Sequence, residues 1–208
     1  MNKILKQVLV SMTIFISISS NNFIFAENNE EIYIKEDKLI IENLGNNLIY
    51  APHTENVNLD YLYQMIQHQK SAIDMAKNLL NNGGENEEVA QIAKDIIKQQ
   101  SISIASMENL METLIENLTQ DKASEEIYLK EYDKIVKEMM DNLKNLKPTG
   151  SVDKDFLQSM IVHNQGTIDM INSIIKYSDN NETKKSAEEL KSYQPEIENM
   201  KRLFESIK

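Results

Sequence analysis

The sequence predicts an all-α protein: a four-helix bundle formed from two repeated helical hairpins plus a connecting helix. Three observations predict it. Apolar residues recur at helical spacing through most of residues 58–208. Stop residues punctuate that pattern at Gly83-Gly84 and at Pro148 and Gly150. Part of the pattern returns 95 residues later in the chain.

Residues 1–26 read as an export signal. Lys3 and Lys6 give a positive start, Val8 to Ile18 is an apolar run too short for a membrane span, and Ile24-Phe25-Ala26 precedes acidic Glu27 as a cleavage site. The expected location is outside the cytoplasm: extracellular, cell wall or periplasmic. No Cys follows that could take a lipid anchor. Residues 27–57 are acidic and show no helical period, so an irregular arm is expected. Within it, Ile32-Tyr33-Ile34 and Leu39-Ile40-Ile41 could form two short strands, while Asn46-Asn47 and Pro52 interrupt anything longer.

Helices follow. The first covers Leu59–Leu80, with Asn58 as N-cap and Gly83-Gly84 as stop. The second runs from about Glu87 to Leu118, and these two form repeat one, residues 58–118. A connecting helix runs from about Ser124 to Leu146 and ends before Pro148. A fourth runs from near Asp153 to Tyr177, and a fifth spans about Glu182 to Ile207 with a kink or break expected at Pro195. Residues 119–208 thus hold the connecting helix and repeat two.

The repeat is specific in register. Leu62, Met65, Ile66 and His68 answer to Leu157, Met160, Ile161 and His163, and Ile73-Asp74-Met75 answers to Ile168-Asp169-Met170. The partner helices match with an offset of 93, pairing Ile104 with Ile197 and Met107 with Met200. Duplicated amphipathic hairpins bury their apolar stripes against each other.

Composition excludes several functions. Cleavage after Ala26 removes two lysines and no acid, so the net charge of −11 becomes −13. That sign opposes nucleic acid and anionic membranes as partners. The sequence names no protein partner. There is no Cys, so no disulfide and no thiol chemistry. The residues three before each His are Tyr50, Met65 and Met160, so the Glu-x-x-His pattern of di-iron bundles is missing. Hydrolase His spacing, Gly-x-Ser-x-Gly and phosphate loops are missing too. The sequence therefore predicts no enzyme.

What remains is a Met/His stripe. At about 100° per residue, Met65, His68 and Met75 fall within an arc of roughly 80°, and Met160, His163 and Met170 repeat it. Thioether and imidazole together suit Cu(I). Met65 and His68 lie one turn apart and can share an ion. Met75 sits roughly 10 Å further along the helix. A third ligand is more easily supplied by another helix: Met107 or Met111 in copy one, and Met139, Met140 or Met200 in copy two. The same residues also read as core, Met75, Met107, Met170 and Met200 above all, because Met fills gaps and a single His on an apolar face is commonly a hydrogen-bonded core residue.

The motif Met65-Ile66-x-His68-x-x-x-Ala72-Ile73-x-Met75, and its second form from Met160 to Met170, resembles the bacterial domain-of-unknown-function family numbered 305. That family is a ferritin-like helical group marked by Met-Ile-x-His-His and a following Ala-Ile-x-Met-Ala. Tyr132, Met139, Gly150, Asp153 and Asp155-Phe156 fit the approach to the second form, and Ile104–Met107 and Ile197–Met200 fit the closing pattern. The resemblance covers about residues 58–118 and 124–204 as two tandem copies. It implies a ferritin-like bundle and, from copper-binding members, a copper ion held by motif Met and His. The family's second His is Gln69 in one copy and Asn164 in the other, which implies weaker affinity than in a full-motif relative. Two functions stay open: a copper carrier or sequestering protein, or a non-catalytic structural or protein-interaction module with Met and His in its core.

Overall fold

The computed structural model describes residues 29–207. The predicted export signal, residues 1–26, lies outside them. The described residues form an all-α bundle with no strand.

The acidic stretch is the main departure from expectation. Instead of an irregular arm with two strands, a helix α1 spans Asn29–Ile49. Its buried face is Tyr33, Asp37, Ile41, Leu44, Gly45 and Leu48. That spacing is helical, but one member is a carboxylate and another has no side chain. The apolar stripe is therefore broken in sequence although continuous in space.

The remaining helices follow the predicted stops. Helix α2 spans Val57–Asn82, and its cap is Asn56 rather than Asn58: the Asn56 side chain accepts from the Asn58 and Leu59 backbone N–H groups. Gly83 ends it in the left-handed region at φ 88°. Helix α3 spans Glu87–Glu116 from an Asn86 cap, α4 spans Lys122–Asn145 from Asp121, and α5 spans Val152–Tyr177 from Ser151. The last predicted helix is interrupted, as Pro195 requires. Helix α6 (Asn181–Glu189) passes through a 3₁₀ turn at Leu190–Ser192 into α7 (Tyr193–Ser206). Proline lacks an N–H, and its ring clashes with the carbonyl four residues earlier, here that of Lys191.

Helices α2 and α5 are the central pair. Each packs on the other; α2 also packs on α1 and α3, and α5 on α4 and α7. Helix α4 is more than a connector. Its buried Tyr128, Tyr132, Val136, Met139, Met140 and Leu143 lie 95 residues after the six buried positions of α1, and α1 and α4 touch. The turns before α2 and α5 share geometry at the same offset. The Thr54 backbone N–H donates to Asp60 Oδ1 at 2.8 Å, and that of Thr149 donates to Asp155 Oδ1 at 2.8 Å. Among the described residues, no helix is long and apolar enough to cross a membrane.

Candidate functional site

The centre of the bundle holds a pair of histidines. His68 on α2 and His163 on α5 face each other with ring centroids 3.7 Å apart and planes tilted by 35°. Both are buried, at 0% and 1% exposure. The helices cross antiparallel here: Ser71 Oγ lies 3.0 Å from His163 Nε2, while Thr167 Oγ1 lies 3.5 Å from His68 Nδ1.

The polar partners fix the His163 tautomer. Its Nε2 is 3.1 Å from the His68 backbone carbonyl, which can only accept, so Nε2 bears the proton. Ser71 Oγ donates to that same carbonyl at 2.7 Å. His163 Nδ1 is then a bare lone pair, buried and without a hydrogen-bond partner. On the other ring, His68 Nε2 lies 3.3 Å from the thioether sulfur of Met139, on α4.

Burial makes both rings reluctant to charge. Desolvation, reinforced by His163, holds His68 well below the usual imidazole range. Desolvation lowers His163 to about 4, partly offset by its bond to the His68 carbonyl. Both imidazoles are neutral at pH 7, the form that ligates metals.

The sequence-predicted residues separate into two groups. His68 and His163, read in the sequence as members of two separate stripes, come together. Met65, Met75, Met107, Met160, Met170 and Met200 are all buried in the shared apolar core. Met139 meets His68 in the first half of the chain rather than His163 in its own half. Its counterpart 95 residues earlier is Leu44, so this pairing supplies one thioether, not two.

Ser71 escaped the sequence reading, and Gly166 and Thr167 enter it only as parts of the second motif, with no role at a site. A Cβ on Gly166 would stand 2.3 Å from the Met139 sulfur, so glycine at this position leaves the room that the thioether occupies. The available signal was spacing: Ser71 follows His68 by three residues and Thr167 follows His163 by four, each one helical turn on. Met139 and Gly166 also line a surface recess of about 220 Å³, so Met139 stands between solvent and His68.

Two neutral imidazoles and a thioether form a soft donor set, which fits Cu(I) better than Zn²⁺ or a hard cation. Among the described residues, no three of His, Cys, Asp and Glu converge as a metal-binding group. The soft-ion reading accordingly depends on the thioether.

A solved structure of a DUF305 fragment from Deinococcus radiodurans is similar to this chain, with a TM-score of 0.54 and 20% sequence identity; the match covers 75% of this chain and 100% of that one. No curated protein matches. At that identity the likeness speaks for the fold alone. The sequence adds the family itself: residues 58–204 match the family described as Domain of unknown function (DUF305), and the chain belongs to it.

Proposed function

We propose that this chain is an exported Cu(I)-binding carrier or sequestering protein, not an enzyme, and that it holds its ion where two copies of one helical unit meet. The observation that supports this most is the approach of the Met139 sulfur to His68 Nε2 at 3.3 Å, beside a second neutral imidazole. His68, His163 and Met139 would be the ligands. His163 Nδ1 already carries a lone pair with no competing hydrogen bond. An apolar, closed environment favours the soft, low-charge Cu(I) state over a hydrated dication. The duplicated unit is α1–α2–α3, answered by α4–α5 and the α6–α7 segment; the matched burial of α1 and α4 supports it.

One observation favours the rival reading, a structural or protein-interaction module. Ser71, Thr167 and the His68 carbonyl together engage most ring nitrogens, as in a polar tie between core helices. Anaerobic titration of Cu(I) against a chromogenic chelator separates the two. The copper reading expects one equivalent bound and at least about tenfold weaker binding in His68→Ala and Met139→Leu, with the helical signal retained. If the wild type takes up no Cu(I) and the variants only melt earlier, the structural reading stands. Export is tested by sequencing the N-terminus of secreted material, which should begin at Glu27.

A further inference from the structure

One of the places where the two halves of the bundle differ lies beside a recess. In the second half, Tyr128 donates its hydroxyl to Gln64 Oε1 at 2.6 Å, and Tyr132 donates to the Leu48 carbonyl at 3.2 Å. The positions that answer to these 95 residues away are Tyr33, Ser159 and Asp37. Thus Tyr33 keeps its ring, but its partner shrinks from Gln to Ser and its neighbour from Tyr to Asp. The lost volume appears as a recess of about 460 Å³ beside α1 and α5, lined by Tyr33, Asp37, Asp155 and Ser159 with apolar walls that include Ile41 and Leu143.

Three residues that line this recess carry buried polar atoms without a protein partner. Asp37 Oδ1, Asp155 Oδ2 and the Tyr33 hydroxyl are all buried, and none makes a hydrogen bond. Their residues are 9%, 4% and 1% exposed. The other oxygen of each carboxylate is used: Asp37 Oδ2 accepts from Ser159 Oγ, and Asp155 Oδ1 from the Thr149 backbone N–H. Tyr33 is close enough to Asp37 and Asp155 for their charges to add to burial in raising its pKa, yet no hydrogen bond closes that gap. Buried oxygens of this kind call for a hydrogen-bond donor.

We propose that this recess binds a small primary alkylammonium ion, with Asp37 and Asp155 holding the ammonium and the apolar walls holding its aliphatic body. An ammonium carries three N–H donors, matching the three free oxygens. The volume is in the range of small-molecule sites, far above that of a single ion. A hard dication takes six or more oxygen ligands, of which the two free carboxylate oxygens would supply two and water most of the rest, leaving the apolar walls unused. Lys38, Lys144 and Lys147, exposed residues of the lining, oppose a dication more strongly than a singly charged ammonium. The site shares no residue with the imidazole pair and stands or falls apart from it.

The test is a titration of n-pentylamine into the purified protein, followed by calorimetry and by amide chemical shifts. The expected result is saturable binding with shifts along α1 and α5, and none from 1-pentanol or calcium chloride at equal concentration. Asp37→Asn removes one charge and should weaken the amine at least about tenfold. Ser159→Gln restores the bulk found in the other half and should weaken it similarly without touching either acid. Should Asp37→Asn fail to fold, Ser159→Gln decides alone. Non-saturating shifts, equal binding of pentanol or calcium, or unchanged affinity in the folded variants would overturn the proposal.

Discussion

The imidazoles of His68 and His163 stack at 3.7 Å between centroids, although the residues stand 95 apart in the chain. The two stand at matching positions of a sequence pattern that recurs after 95 residues, and their contact lies where helices α2 and α5 cross. The surroundings are less symmetric. Ser71 on one side answers to Gly166 on the other, and Leu44 to Met139. Gly166 and Met139 change together in effect: removing the side chain on α5 admits the long thioether from α4, which reaches across to His68.

Gly166→Ala should therefore displace Met139. The added methyl would meet the sulfur at 2.3 Å, closer than van der Waals contact permits, while the far end of Met139 is flexible enough to move away. The expected outcome is a loss of Cu(I) affinity approaching that of Met139→Leu, with a stability cost of about 1–3 kcal/mol. Metal titration and thermal melts on the same sample check both. Unchanged affinity would remove Met139 from the site.

The histidine pair also shapes the pH response. His163 falls from an ordinary value of 6.5 to about 4 in the folded chain, and His68 is lowered as well. The unfolded chain takes up these protons first as pH falls. The stabilisation is thus present above pH 6.5 and is lost on the way down to about 4. For His163 alone it is of order 3 kcal/mol. The double variant His68→Leu/His163→Leu should flatten this acid-side loss, read as the melting temperature between pH 7 and 4.5.

Much of the bundle was legible from periodicity and punctuation. Gly83 and Pro195 act locally, through φ and through a missing N–H, so their effects could be read directly. Helix α1 was not legible because Asp37 and Gly45 occupy its buried face. Their burial depends on α4 and α5, which local sequence does not report. The matching surroundings of His68 and His163 were visible in the sequence, but their meeting depends on the crossing of α2 and α5. The pairing of Met139 with the other half's histidine depends on the same packing and leaves no periodic trace.

A buried acid pair gives a contrasting prediction. Asp60 is fully buried, and its carboxyl is pushed up to about 7, chiefly by burial; bonds from Thr54 lower it and Glu125 raises it further. A raised carboxyl stabilises the fold below about pH 4 and loses that contribution as pH rises through 7. Asp60→Asn keeps an oxygen for the Thr54 N–H and hydroxyl, which lie at 2.8 and 2.7 Å, and offers Glu125 an N–H. The variant should match the wild type near pH 4 and exceed it at pH 8 by about 1–2 kcal/mol. Urea unfolding at the two pH values measures the difference.

The turns before α2 and α5 allow a test of backbone strain in which one position controls for the other. Glu55 is the only non-glycine with positive φ among the described residues, at 58°. The residue 95 positions later is Gly150, at φ 85°. An L side chain in this region costs about 1–2 kcal/mol relative to ordinary backbone, whereas glycine adopts it freely. The local bonds at Glu55 are made by its backbone: its N–H donates to Glu125 Oε1 at 2.6 Å, and its carbonyl accepts from the Asp121 N–H at 2.7 Å. Glu55→Gly keeps both. It should stabilise by up to about 1 kcal/mol, the strain relieved being partly offset by the greater freedom of glycine in the unfolded chain. That corresponds to a melting temperature roughly 2–4 °C higher. Gly150→Ala should do the reverse, and since nothing lies within 4 Å of the added Cβ, its cost is conformational rather than steric. Opposite shifts of similar size support the strain account; a destabilised Glu55→Gly would instead give the Glu55 side chain a role of its own.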